Sequence, residues 1–491
     1  MAHIPNPEEV KVIEQSKVSP PPGSVSTTSL PLTFFDVPWL LCCQIERLYF
    51  YEFPHPTHHF LQTLLPTLKH YLCLTLRHFF PYAANLVFPP PPEKPHIHFT
   101  DGDFVSLTVA ESAADFDFLS ANHPRPVRAL HPFVPKSAST HVKGETLVLG
   151  PLLALQVTVF PNSGICIGVR FNHVAADGRA FHHFMKSWAL VGRSGGYLTR
   201  LERELGLPSH DRTAVKDPNG LDWVLLYTWR SLESTNSSDQ DRVPTDQSNV
   251  VVVNEDDDNV RATFVLRQAQ IERLKSWAKN HFANDNDNNS TPFHISLFVV
   301  TCALVWVCLA KSEETTERNP TAINKLDIDD ETYYFIFPAD CRSRVQFQLP
   351  TTYFGKCLTA LFAPATKKEL LGESGMVAAA KAIGKEVTRL LEISSEALTE
   401  MTEKSVMKFK EVTERWQYVS VAGSPKLGVY ETDFGWGRPK KSESVHVMDS
   451  TTFSLAESRD ERGGIEVSLA LNKDRMSRFS TILEESLLKF V

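Results

Sequence analysis

FNHVAADGRAF, residues 171–181, sets a histidine, an aspartate, a glycine and an arginine in one short polar bend between two apolar stretches. Upstream, ETLVLG, LLALQVTVF and GICIGVRF fill most of residues 145–171, three β-rich runs separated by Pro, Asn, Ser and Gly, and each predicts a strand. Downstream, Phe181, Phe184, Met185 and Trp188 recur at the i, i+3, i+4, i+7 spacing of an amphipathic helix. The stretch therefore reads as strand, tight turn, helix, with Gly178 making the bend. A neutral imidazole at a strand end can take a proton from an alcohol that attacks a carbonyl, so His173 is a candidate general base. The simpler alternative is that His173 only ends the strand and Asp177 caps the helix with its carboxylate. H-x-x-x-D by itself favours that structural reading, because HFAND at His281 and Asp285 repeats the spacing and runs into an Asn/Asp loop. Only the first copy has a strand before it and an amphipathic helix after it.

Further out, strand and helix signals alternate. Residues 61–80 carry helical spacing, and FFPYAANLVF before PPPPEKP reads as the end of that helix, a strand and a loop. VRATFVL, ETYYFIF and GIEVSLAL predict strands, and residues 270–282 and 367–393 predict helices, so the class is mixed α/β. LPSHDRTAVKDPNG, residues 207–220, reads as a crossover between lobes, and residues 234–249 and 284–292 read as polar surface loops.

With 491 residues and 42% hydrophobic composition, the chain can bury a large core, and its length suggests two or more globular lobes. A net charge of -8 gives no basic face for nucleic acid. The eight cysteines sit mostly in apolar runs without C-x-x-C spacing, which predicts buried free thiols of a reducing compartment. The first residues show no basic and then apolar leader, so the expected location is cytoplasmic. ISLFVVTCALVWVCLA, residues 295–310, is shorter than the roughly 20 residues of a membrane span and reads as a buried helix. HPTHH, residues 55–59, and the pair His182 and His183 lack supporting carboxylate or cysteine spacing, so no metal is expected.

DFGWGRP, residues 433–439, is the second unusual stretch. It lacks the third glycine of a dinucleotide loop, and neither G-x-x-x-x-G-K-[ST] nor G-x-S-x-G occurs in the chain. It reads as a rigid turn with Trp436 as an anchor. His173-Val-Ala-Ala-Asp177 and Asp433-Phe-Gly-Trp-Gly437, in that order, together resemble the plant BAHD acyl-CoA-dependent acyltransferases. LPLTFFDVPWL (30–40), LKHYLCLTLRHFFPYAANL (68–86), DRTAVKDPNGL (211–221), DCRSRV (340–345) and GGIEVSLALNKDRM (463–476) extend the resemblance over nearly the whole chain. TYFGKC (352–357) and SPKLGVYETDFGWGRP (424–439) look like the branch that acylates sugars of anthocyanins, flavonoids and other phenolic glucosides. Lys356 departs from that branch's usual Y-F-G-N-C, and SPKL departs from its S-P-R-F.

The resemblance implies two similar α/β lobes, like chloramphenicol acetyltransferase, with a solvent channel between them. The expected N-terminal lobe is residues 1–202 completed by 433–452, with a crossover at 203–220 and a C-terminal lobe of 221–432 and 453–491. His173 is implied as the base for direct transfer without an acyl-enzyme, and Asp177 as a structural residue paired with Arg342. Arg179 could grip a malonyl carboxylate with its planar fork, or be only a solvated arginine of the first helical turn. Lys275, Ser424 and Lys426 are implied on the CoA side, and Asp433, Gly435, Trp436 and Gly437 as a structural motif. The expected enzyme is a monomer with no permanently bound cofactor and no metal, taking malonyl-CoA as co-substrate and a phenolic or flavonoid glucoside as acceptor. A hydroxycinnamoyl-CoA donor, or a catalytically silent binder of phenolics or CoA, are the alternatives.

Overall fold

A computed structural model describes residues 10–41, 44–136, 139–144, 146–217, 219–236, 258–283, 295–313, 331–343, 348–415 and 417–489. Cys42, Cys43, Asp285, the 284–292 loop and nearly all of the 234–249 loop lie outside the described residues. The chain forms two compact units, one from residues 1–256, 340–358 and 427–446, the other from 257–339, 359–426 and 447–491.

The first unit is built on a mixed sheet with strand order Val10–Val18, Val105–Ser112, Leu153–Phe160, Gly164–Phe171, Ile45–Glu52 and Lys441–Ser444. Leu153–Phe160 lies parallel to Val105–Ser112 and antiparallel to Gly164–Phe171. Both central strands are buried almost throughout, which explains why they read as near-continuous apolar runs rather than alternating ones. The helix Gly178–Arg193 follows directly, and its Phe181, Phe184, Met185 and Trp188 are all buried. Each such side chain contributes about 1.5–3 kcal/mol of hydrophobic stabilisation. Trp188 Nε1 also donates to the Leu68 carbonyl at 3.3 Å, tying this helix to the helix Leu65–Leu76. A smaller sheet runs Thr28–Pro31, His96–Phe99, Asn85–Phe88, Thr146–Gly150 and Ser139–Lys143.

Unit boundaries differ from those expected. The 203–220 segment is no free crossover, because Arg212 is buried against Asp36 at 2.8 Å and residues 198–204 are helical. The helix Leu221–Asn236 also belongs to the first unit, where Asp222 pairs with Lys94 and Trp229 stacks on Phe88. The returning segment is 427–446 rather than 433–452. Its strand pairs antiparallel with Ile45–Glu52, and Glu443 meets Arg125 with both side chains fully buried. Residues 340–358 join the same unit, an excursion that polarity patterns do not reveal.

In the second unit the strand order is Leu358–Thr366, Thr332–Asp340, Tyr418–Gly423, Thr452–Glu457, Ile465–Asn472 and Asn259–Leu266. The helix Leu297–Ser312 is buried on nearly all sides, as its uncharged run predicts. No helix among the described residues is long and apolar enough to cross a membrane. The expected helix over 367–393 is two, Lys367–Leu371 and Gly375–Glu392, the first opened by a capping box of Thr366 and Glu369. Both units are mixed α/β, as the alternating signals predict.

Candidate active site

The strand Gly164–Phe171 ends one residue before a turn that the sequence writes with side chains. Asn172 Oδ1 accepts from the Val174 N–H at 2.9 Å, and the Ala175 N–H returns to the Asn172 carbonyl at 3.0 Å. Asp177 has extended backbone and accepts from the Ala180 N–H at 3.0 Å, capping the helix. Gly178 does not make the bend as expected: it is already the first helical residue and lacks a positive φ. What it supplies is room, since a Cβ there would lie 3.3 Å from Leu427 Cδ1.

His173 occupies the middle of this turn. Its Nδ1 lies 3.0 Å from the Ala176 carbonyl oxygen and 2.9 Å from Lys356 Nζ. Trp39 meets the imidazole edge-on with centroids 4.4 Å apart, and Lys356 Nζ sits 3.6 Å above the Trp39 ring. With Nδ1 so engaged, Nε2 has no protein partner among the described residues, and the residue keeps part of its surface open. Burial first, and Lys356 next to it, hold the imidazole well below the usual histidine value. It is therefore neutral near pH 7, with Nε2 free of protein partners among the described residues.

Behind the turn, Arg342 pairs with Asp177 at 2.6 Å, with side chains 4% and 1% exposed. Arg342 also meets Asp340 at 3.3 Å and donates to the Gly355 carbonyl at 3.1 Å. Burial opposes the Arg342 charge, but Asp177 and then Asp340 raise its pKa above the ordinary arginine value. Asp177 is thus engaged in a helix cap and an ion pair, whereas His173 Nε2 has no protein partner among the described residues. By contrast His281 lies within the helix Gln268–Ala283, its Nδ1 3.0 Å from the Trp277 carbonyl one turn back.

A model described as the transferase family matches residues 8–486. The chain belongs to this family, the BAHD acyltransferases. It is 38% identical to the coumaroyl-CoA:anthocyanidin 3-O-glucoside-6''-O-coumaroyltransferase 1 of Arabidopsis thaliana, over 100% of this chain and 99% of that one. It is 34% identical to the malonyl-coenzyme A:anthocyanin 3-O-glucoside-6''-O-malonyltransferase of Dahlia pinnata, over 99% of each. It is 35% identical to phenolic glucoside malonyltransferase 1 of Nicotiana tabacum, over 90% and 91%. Among solved structures, vinorine synthase shares the fold with a TM-score of 0.63 at 20% identity, over 98% of both chains. TRI101 of F. sporotrichioides, complexed with coenzyme A and T-2, does so with a TM-score of 0.64 at 16% identity, over 94% of this chain and 98% of that one.

As a BAHD acyltransferase the protein is an acyl-CoA-dependent enzyme. Arg179, in the first turn of the helix after His173, is 46% exposed and pairs through Nε with Asp340 at 3.0 Å, a partner the sequence did not suggest. Lys275, on the helix Gln268–Ala283 of the second unit, pairs with Glu272 at 2.9 Å. Ser424 and Lys426 share one turn after the strand Tyr418–Gly423, with Ser424 Oγ accepting from the Lys426 N–H at 3.3 Å.

In the BAHD signature at 433–437, Asp433 Oδ1 accepts from the N–H groups of Gly435 at 2.8 Å and Gly437 at 3.0 Å. Those glycines hold φ of 108° and 109°, which side-chain-bearing residues rarely adopt. Trp436 stacks on Phe434 at 5.2 Å and meets Tyr51 edge-on at 6.2 Å, while the Tyr51 hydroxyl donates to the Thr432 carbonyl at 2.9 Å. The motif is a rigid turn packed against a strand of the sheet. Trp436→Ala is expected to cost about 1–3 kcal/mol through lost aromatic packing, read as a lower melting temperature. Specific activity of the fraction that stays folded should hold within a few-fold; a folded variant with unchanged melting and no turnover would contradict the anchor role.

Sequence reasoning did not place Trp39, Asp36, Arg212 or Lys356 at the site. The signals were present: Trp39 and Asp36 lie in LPLTFFDVPWL, Arg212 in DRTAVKDP, and Lys356 is the departure in YFGKC.

Proposed function

We propose that the protein transfers an acyl group from an acyl-CoA to a sugar hydroxyl of a phenolic or flavonoid glucoside, with His173 as general base. The observation that carries this is the open Nε2 of a neutral imidazole whose Nδ1 is held inward. A sugar hydroxyl is a poor nucleophile until a base removes its proton during attack. Nε2 takes that proton as the oxygen bonds to the thioester carbon; the C–S bond then breaks, and Nε2–H returns the proton to the departing thiolate. No acyl-enzyme forms. Lys275, Ser424 and Lys426 are proposed on the CoA side, as local basic and polar groups in an otherwise acidic protein.

Malonyl-CoA is the proposed donor, supported by the malonyltransferases among its relatives and by Arg179 two residues past Asp177. A coumaroyl donor is the second reading, favoured by the coumaroyltransferase relative and by the prior engagement of Arg179 with Asp340. Purified enzyme offered malonyl-CoA and coumaroyl-CoA against a panel of phenolic glucosides, read by product mass, decides between them. Ligand binding without any mass shift would point instead to a silent binder. If Arg179 grips malonate, Arg179→Ala should cost roughly 1.5–3 kcal/mol in kcat/KM with malonyl-CoA, about ten- to a hundred-fold, and leave acetyl transfer little changed. Arg179→Lys should recover part of the preference. An unchanged malonyl-to-acetyl ratio would move donor recognition elsewhere. A cytoplasmic monomer is proposed, supported by the free thiols of the described cysteines; gel filtration and cell fractionation test it.

A further inference from the structure

His173 Nδ1 stands within hydrogen-bond reach of two groups that make opposite demands. The Ala176 carbonyl oxygen at 3.0 Å can only accept, so it asks for a proton on Nδ1. An ammonium at Lys356 Nζ, 2.9 Å away, can only donate, so it asks for a lone pair there. A neutral imidazole carries one ring proton. If Nδ1 gives its lone pair to an ammonium, the proton sits on Nε2, and the nitrogen that must act as base is blocked. If Lys356 is an amine, Nδ1–H is shared by Ala176 and Nζ, and Nε2 is open. Lys356 is fully buried, over the face of Trp39, so it is held at this decision point.

We propose that Lys356 is a positioning residue that controls which nitrogen of His173 carries the proton, so that the base is available only after the His173–Lys356 pair has given up its shared extra proton. In the active form Nε2 takes the hydroxyl proton and later returns it to sulfur, while Lys356 exchanges no atom with substrate. The two groups titrate as a pair rather than singly. Other groups bearing on this pair include His446, which adds a smaller opposition to charge on His173, and Asp36, which accepts the Lys356 backbone N–H at 3.3 Å and is already paired with Arg212. The Asp177–Arg342 pair closes the same turn.

The inference rests on His173 being the base, and its test uses the pH dependence of kcat/KM for the full-length enzyme. In Lys356→Met, Ala176 becomes the sole partner of Nδ1, Nε2 is open in every neutral imidazole, and the acid limb should move to lower pH by more than one unit. Lys356→Asn, which restores the residue of Y-F-G-N-C, should move it the same way and guards against a folding failure in the methionine variant. Lys356→Arg keeps a charge that cannot be lost, so it should fall more than ten-fold below Lys356→Met at every pH, with KM for the acyl-CoA little changed. An acid limb that stays in place or moves upward in both Met and Asn variants overturns the proposal, as does an arginine variant as active as wild type. His173→Ala measured alongside keeps the two ideas apart: activity surviving there defeats the base assignment itself, whereas its loss together with an unmoved limb defeats only the role of Lys356.

Discussion

His173→Ala is expected to lower turnover by roughly 10²–10⁴-fold while leaving CoA binding nearly intact, because the proton is removed only as the new bond forms. The substitution gives up the Nδ1 contacts to Ala176 and Lys356, but the turn itself is held by Asn172 and Asp177, and Nε2, the nitrogen proposed to act, has no protein partner among the described residues. A folded variant within a few-fold of wild type would sink the assignment. His281→Ala is the matched control, since among the described residues that imidazole bonds to its own helix, and it should change neither turnover nor CoA binding. A large loss at His281 would mean that the wrong copy of H-x-x-x-D carries the chemistry.

Arg342→Met should be the most destabilising of these substitutions. It leaves the Asp177 carboxylate 1% exposed and without its cation, a loss of about 3–5 kcal/mol. Asp177→Asn should cost less, since an amide oxygen can still cap the helix at Ala180. The double variant Asp177→Asn, Arg342→Met should recover part of the loss, because no uncompensated charge stays buried. Melting temperature and the half-life of thermal inactivation, compared across the three variants, check this. A loss in the double variant equal to the sum of the two single losses would show that the pair is not coupled.

Much of this was legible in the sequence where one element decides its own form. The strand–turn–helix around His173 follows from spacing alone, because the apolar positions 181, 184, 185 and 188 fix the buried face whatever packs on it. The Asp177–Arg342 pairing was legible only through resemblance, since nothing local to either residue points to the other. Gly178 was misread because a glycine in a bend suggests backbone freedom, when it has no positive φ and a Cβ there would lie 3.3 Å from the end of the Leu427 side chain. Residues 203–220 were misread as a linker for a similar reason: the segment is polar and Pro/Gly-containing, yet Arg212 is taken inside by Asp36, a partner far away in sequence. Lys356 was visible as a departure from a pattern but had no address until the fold brought residue 356 to residue 173.

The first unit gathers its parts from three separated stretches of chain, and this bears on how the protein is made. During synthesis, the ribosome delivers Asp177 long before Arg342, and Arg125 long before Glu443. Until residue 342 has emerged the nascent half holds two charges that its own interior cannot tolerate alone, and until residue 446 it still holds Arg125 without Glu443 and an edge strand, Ile45–Glu52, with an unpaired side. The half that carries the histidine therefore cannot be cut out as one contiguous fragment, and any chain stopped short of the final strand should depend on a chaperone to stay soluble.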